Sequence, residues 1–167
     1  MARLLVTHAI AAVALLQEGL KKIYHFWEHR MPQHWLMKSE PIKYSWDDLV
    51  RDGKTRWDGV RNHQAAIYLR SMKIGDECLF YHSNEGLACV GIMQVVGEHY
   101  IDPSDAKARF PCVDVGPVRA LAVPVTLAAM KAEPKLAGLK MFQQFRLSVT
   151  PISDEEWDVI LGMGAEV

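Results

Sequence analysis

At Gly75 the hydrophobic period of the chain switches from helical to extended, and this switch limits the fold more than any other feature. Before it, Ala65, Ala66, Leu69 and Met72 recur at helical spacing, with Asn62 as a cap and Gly75 as a stop. After it, Cys78-Leu79-Phe80-Tyr81-His82 and Leu87 to Val96 are β-rich runs split by Ser83-Asn84-Glu85-Gly86, a hairpin signal. Val113 to Val125 is also β-rich, but Gly116-Pro117 and Pro124 divide it into two short expected strands. His34 to Lys38, closed by Pro41, and Phe145 to Val149, closed by Pro151, add an early and a late strand. Short helices fall between them. Ser45 with Asp48 and Ser153 with Glu156 have the spacing of capping boxes, and Thr126 to Ala132 is stopped by Pro134. Short strands with interleaved short helices and no βαβ rhythm predict an α+β fold, a small mixed β-barrel with flanking short helices.

The 167 residues are 50% hydrophobic, enough for one domain with a real core and too apolar for a disordered chain. No run reaches the roughly 18 apolar residues of a membrane span. Cys78, Cys89 and Cys112 form no Cys-x-x-Cys pair, so they read as buried hydrophobes in a reducing compartment, and a cytoplasmic location is expected. Residues 1–30 stand apart: Leu4 to Leu16 is apolar except for Thr7 and His8, and Arg3 precedes it. That segment has three readings: an N-terminal extension upstream of a start at Met31, a docked or loose helix, or an export leader. The expected domain is 31–167. Charge is uneven within it. Residues 38–73 hold eight Lys/Arg against five Asp/Glu, while 74–167 hold seven against thirteen, so a polyanion meets the first half.

Generic catalytic motifs are missing: no Gly-x-Gly-x-x-Gly, phosphate loop, His-Glu-x-x-His or Gly-x-Ser-x-Gly occurs. The histidines have no metal-ligand spacing, so neither a metal nor a cofactor is expected. Polar residues instead gather where elements end: Lys38-Ser39-Glu40, Arg61-Asn62 and Tyr81-His82-Ser83. Trp35, Trp46, Trp57, Tyr44 and Tyr81 lie in the same part of the chain. An aromatic wall with a few fixed donors and acceptors suits a planar heterocycle. Taken singly, each tryptophan is core packing and Asn62 is a helix cap.

At these same residues the sequence resembles the EVE domain family. The matching stretches are Trp35-Leu36-Met37-Lys38-Ser39-Glu40-Pro41, Tyr44-Ser45-Trp46-Asp47-Asp48-Leu49 and Trp57-Asp58-Gly59-Val60-Arg61-Asn62-x-Gln64-Ala65. They continue with Gly75-Asp76-x-x-Leu79-Phe80-Tyr81-His82-Ser83, Tyr100-x-Asp102-Pro103, Arg146-Leu147-Ser148-Val149-x-Pro151 and Glu156-Trp157. Pro111-Cys112 stands where family members often carry a tryptophan, and residues 104–112 are short. The resemblance implies a PUA-like fold, and a non-enzymatic module that binds a modified base, a methylated or hydroxymethylated cytosine, in DNA or RNA. It maps a pocket onto Trp35, Lys38, Ser39, Trp57, Asn62, Tyr81, His82 and Ser83. Trp35, Trp57 and Tyr81 are the expected stacking surfaces, and Ser39, Asn62 and His82 the expected edge readers. Lys38, Lys43, Arg56 and Arg61 are the expected phosphate partners. A monomer without membrane attachment is expected. The alternative is an enzyme acting on RNA or a nucleotide, with His82 and Glu40 as acid and base.

Overall fold

Strands β1 (His34–Ser39) and β3 (Glu77–His82) read as unbroken apolar runs because the sheet carrying them is covered on both faces. In the computed structural model, which describes residues 33–165, Trp35, Met37, Cys78 and Phe80 enter one core cluster. The alternating Leu36, Leu79 and Tyr81 enter the other, on the opposite face. The remaining strands are β2 (Thr55–Trp57), β4 (Ala88–Ile101), β5 (Pro111–Thr126) and β6 (Val149–Ile152). They order as β2-β5-β4-β3-β1-β6 in one six-stranded sheet. β1 and β3 run parallel, with Ser39 opposite His82, and the other ladders are antiparallel. The expected mixed architecture is present. Among the described residues no ladder joins β2 to β6, so the sheet is open along that seam rather than a closed barrel.

Helix α1 (Trp46–Asp52) starts on a full capping box between Ser45 and Asp48, and Gly53 ends it at φ 68°, a left-handed conformation suited to glycine. Asn62 caps α2 (His63–Ser71), and Thr126 caps α3 (Leu127–Ala132). A 3₁₀ turn (Pro134–Leu136), the short α4 (Lys140–Gln143) and α5 (Asp154–Met163) complete the set. The Ser153–Glu156 box opens α5, whose Trp157 stacks on His34 with ring centres 4.2 Å apart.

The structure departs from the sequence pattern in three places. β5 is one strand, not two: its ladder with β4 shifts register between Cys89 and Gly91 and between Ile92 and Met93, and these irregularities accommodate Pro124 and Pro117. The late strand begins at Val149, and Phe145-Arg146 is a turn. Pro151 is tolerated because β6 is an edge strand. Helix α2 stops at Met72, before Gly75. The three readings of residues 1–30 lie outside the described residues. No helix among the described residues is long and apolar enough to cross a membrane.

Candidate functional site

The carboxyl ends of the parallel strands β1 and β3 open onto a cleft of about 730 Å³. Ser83 N–H donates to Ser39 O at 2.8 Å and ties the two strand ends together. Ser39, which lines the cleft, donates from Oγ to Tyr44 O at 2.6 Å, so the hydroxyl keeps its acceptor capacity. Glu40, Lys43 and Tyr44, from the turn that follows β1, extend this first wall.

The second wall is the segment from Thr55 to Asn62, and Asp102 holds it. The Asp102 side chain is fully buried. One carboxylate oxygen accepts from Gly59 N at 2.9 Å and Arg61 Nη1 at 2.7 Å, and the other accepts from Ser104 N and Oγ, both at 2.7 Å. Burial alone would raise this carboxyl, but the bonds from Arg61, Ser104 and Gly59 hold it well below the usual carboxylate range. Arg61 also donates to Ser104 Oγ, and Phe110 lies under its guanidinium at 5.7 Å. Asn62, exposed and lining the cleft, caps α2 through Oδ1, which accepts from Ala65 N at 3.1 Å, a bond that does not use its amide donors. Trp57 is 7% exposed and packs edge-on against Phe80, so it offers the cleft a strip of ring. Arg56 Nε donates to the Tyr100 hydroxyl, which donates to Asp114, itself paired with Lys54 at 3.0 Å.

Ser83, Arg146 and Ser148 close the third side. Five basic side chains (Lys38, Lys43, Arg56, Arg61 and Arg146) and two carboxylates (Glu40 and Asp58) line the cleft. The net of three positive charges contrasts with the −1 of the whole chain. Lys38 donates from Nζ to Phe145 O at 3.0 Å, and burial lowers its pKa.

Of the residues expected at the site, Lys38, Ser39, Trp57, Asn62 and Ser83 meet in this cleft, together with Lys43, Arg56 and Arg61. Three do not line it. Trp35 is 3% exposed in the core, its indole N–H donating to Asp76 at 3.1 Å. Tyr81 faces the opposite side of the sheet, where it borders a hollow of about 220 Å³ with Lys38 and Ser83, and burial pushes its phenol up to about 12. His82 packs edge-on to Phe80, and its Nε2 accepts from Trp46 N at 3.2 Å. Burial lowers the His82 pKa, in keeping with a neutral ring that accepts. Glu40 pairs with Lys43 at 2.9 Å, so the two groups of the enzymatic alternative have different partners. Trp46 belongs to the core, where its ring fills the space over Gly91.

Tyr44, read in the sequence as part of an aromatic wall, also lines the cleft, as do Thr55, Asp58, Arg146 and Ser148, which the sequence reading does not assign to the site. Arg146 and Ser148 lie in a stretch that reads as a strand, which hid the turn that brings them round. No group of three or more His, Cys, Asp or Glu among the described residues is arranged to hold a metal ion.

The family model for the EVE domain matches residues 33–163. Human thymocyte nuclear protein 1 is 36% identical over 169 residues, covering 80% of this chain and 74% of that protein. A protein of Rhodopseudomonas palustris solved by NMR is 47% identical with a TM-score of 0.75, covering 79% of this chain and 92% of its own. The crystal structure of human THYN1 in complex with DNA containing 5-methylcytosine is 34% identical with a TM-score of 0.75, covering 81% and 99%. The match runs through every strand and through both walls of the cleft, and this chain belongs to the EVE domain family, with its PUA-like fold.

Proposed function

We propose that the cleft captures a modified nucleobase, a methylated or hydroxymethylated cytosine, from DNA or RNA and holds it without chemical change. One observation carries this reading: acceptor, donor, aromatic strip and basic side chains converge at one pair of strand ends. Their polarity suits cytosine. The ring's exocyclic amine donates toward Ser39 Oγ, which has given its own proton to Tyr44 O. The Asn62 amide, whose oxygen is engaged by Ala65 N, donates toward the ring's acceptors. Trp57 and Tyr44 border the ring, and the basic side chains meet the flanking phosphates. Taking a base out of a stack costs roughly a few kcal/mol, which stacking and edge hydrogen bonds offset. The complex of human THYN1 with DNA containing 5-methylcytosine supports the same reading. Three free buried cysteines fit a reducing, cytoplasmic setting, and the module acts as a monomer in this proposal.

The test is titration of DNA and RNA oligomers carrying cytosine, 5-methylcytosine or 5-hydroxymethylcytosine, with mass analysis of the recovered nucleosides. Tighter binding of a modified strand, returned intact, is expected. Indifference across the panel, or a converted nucleoside, would overturn the reading. Asn62→Asp keeps the oxygen that caps α2 and removes the amide donor, so binding falls while the fold persists.

A further inference from the structure

Next to the basic cleft lies a second hollow of different chemistry, about 560 Å³ in volume. It shares Asn62 and Arg146 with the cleft, so the two adjoin. Its polar lining is neutral apart from Arg146: Gln64, Gln143 and Gln144 join Asn62, four carboxamides in all. Its apolar lining is Leu147, buried in the core, and Phe145, 73% exposed and outside both core clusters. The Arg146 guanidinium carbon lies 5.7 Å from the centre of the Phe145 ring. Lys38 Nζ, bonded to Phe145 O, tethers the turn that presents this ring.

A nucleic-acid strand alternates charged phosphate with neutral base, and the surface here alternates in the same way. Phosphate matches the basic cleft lining. A neutral hollow with an open aromatic ring and amides, each both donor and acceptor, matches a base. Resting on the base-capture reading, we propose that this hollow holds the nucleobase next to the captured one, stacked on Phe145, with Arg146 on the phosphate between them. The amides can answer the edge of any base, so the subsite adds affinity with a shallow sequence preference.

The experiment uses the full chain and single-stranded DNA oligomers bearing one 5-methylcytosine, with normal neighbours or with an abasic neighbour on the 5′ or the 3′ side. Stacking on an aromatic side chain is worth about 1–3 kcal/mol per base, so removing the neighbouring base on one side weakens the wild type about five-fold or more. Phe145→Ala should abolish that ratio and Phe145→Trp should keep it. Because the side chain is exposed, both variants retain the wild-type melting transition. Loss of neither neighbour mattering in the wild type, or a ratio that survives in Phe145→Ala, overturns the subsite and leaves base capture standing. If strands with and without 5-methylcytosine bind alike, base capture itself fails and the subsite with it.

Discussion

Asparagine in place of Asp102 removes a charge from the joint that holds the second wall of the cleft. The carboxylate accepts four hydrogen bonds, two from Arg61 and Gly59 on one oxygen and two from Ser104 on the other. An amide keeps one oxygen and turns an NH₂ group on the donors at the other side. Each buried donor left unmatched costs roughly 1–3 kcal/mol. Arg61 is 39% exposed, so water screens its share of the loss. The total is about 2–4 kcal/mol, equivalent to roughly 5–15 °C in melting temperature for a domain of this size. Urea unfolding of wild type and Asp102→Asn at stepped pH gives the second half of the test. The Asp102 carboxyl is held below its ordinary value, so its contribution is fully present above about pH 4 and is lost as pH falls through its folded value. The gap between the two proteins therefore narrows only in acid. A gap under about 1 kcal/mol at neutral pH, or one that stays constant into strong acid, refutes the reasoning.

Three further outcomes are expected. A Cβ at Gly91 would lie 2.5 Å from the Trp46 ring, so Gly91→Ala destabilises by about 1–3 kcal/mol or more, and smaller side chains at position 46 restore part of it in thermal melts. His82 is lowered by burial and accepts from Trp46 N, so its neutral ring supports the fold above the ordinary histidine value near 6.5 and that support fades as pH falls below it. His82→Gln should flatten stability between neutral and mildly acidic pH, and an unchanged slope would count against this. Lys43 and Arg61 already have carboxylate partners, which leaves Lys38, Arg56 and Arg146 for phosphate; log K against log salt should then slope at about −2.1 to −2.7, and a much steeper line would demand a larger basic surface.

The local signals were the most legible part of the fold. Ser45, Asn62 and Ser153 cap helices where their side-chain chemistry said they would, because capping is a contact within four residues, whereas Thr126, read as the first residue of its helix, is that helix's cap. The continuity of β5 was hidden, since Pro117 and Pro124 read as breaks until the irregular ladder with β4 is known. The site divided along the same line. Ser39, Trp57, Asn62 and Ser83 were legible as residues at element ends. Trp35 was not separable from them in sequence, because only the pairing of β1 with β3 decides that its side chain shares the core face with Cys78 and Phe80. Tyr81 falls on the other face for the same period-two reason. Phe145 and Arg146 were obscured by an apparent strand that starts only at Val149.

The cleft draws its lining from Lys38, early in the described residues, to Ser148, late in them, and β6, which follows Ser148, docks on β1. No fragment that lacks either segment holds the whole set of groups. During synthesis, the walls from β1 and from Thr55 to Asn62 emerge first and wait for the turn at Phe145-Arg146 and for the last strand. Occupancy therefore reports completion of the chain's architecture rather than the presence of any motif. By mass action, a ligand held there stabilises the entire assembly by RT ln(1 + [L]/Kd), so it discriminates finished molecules from partial ones.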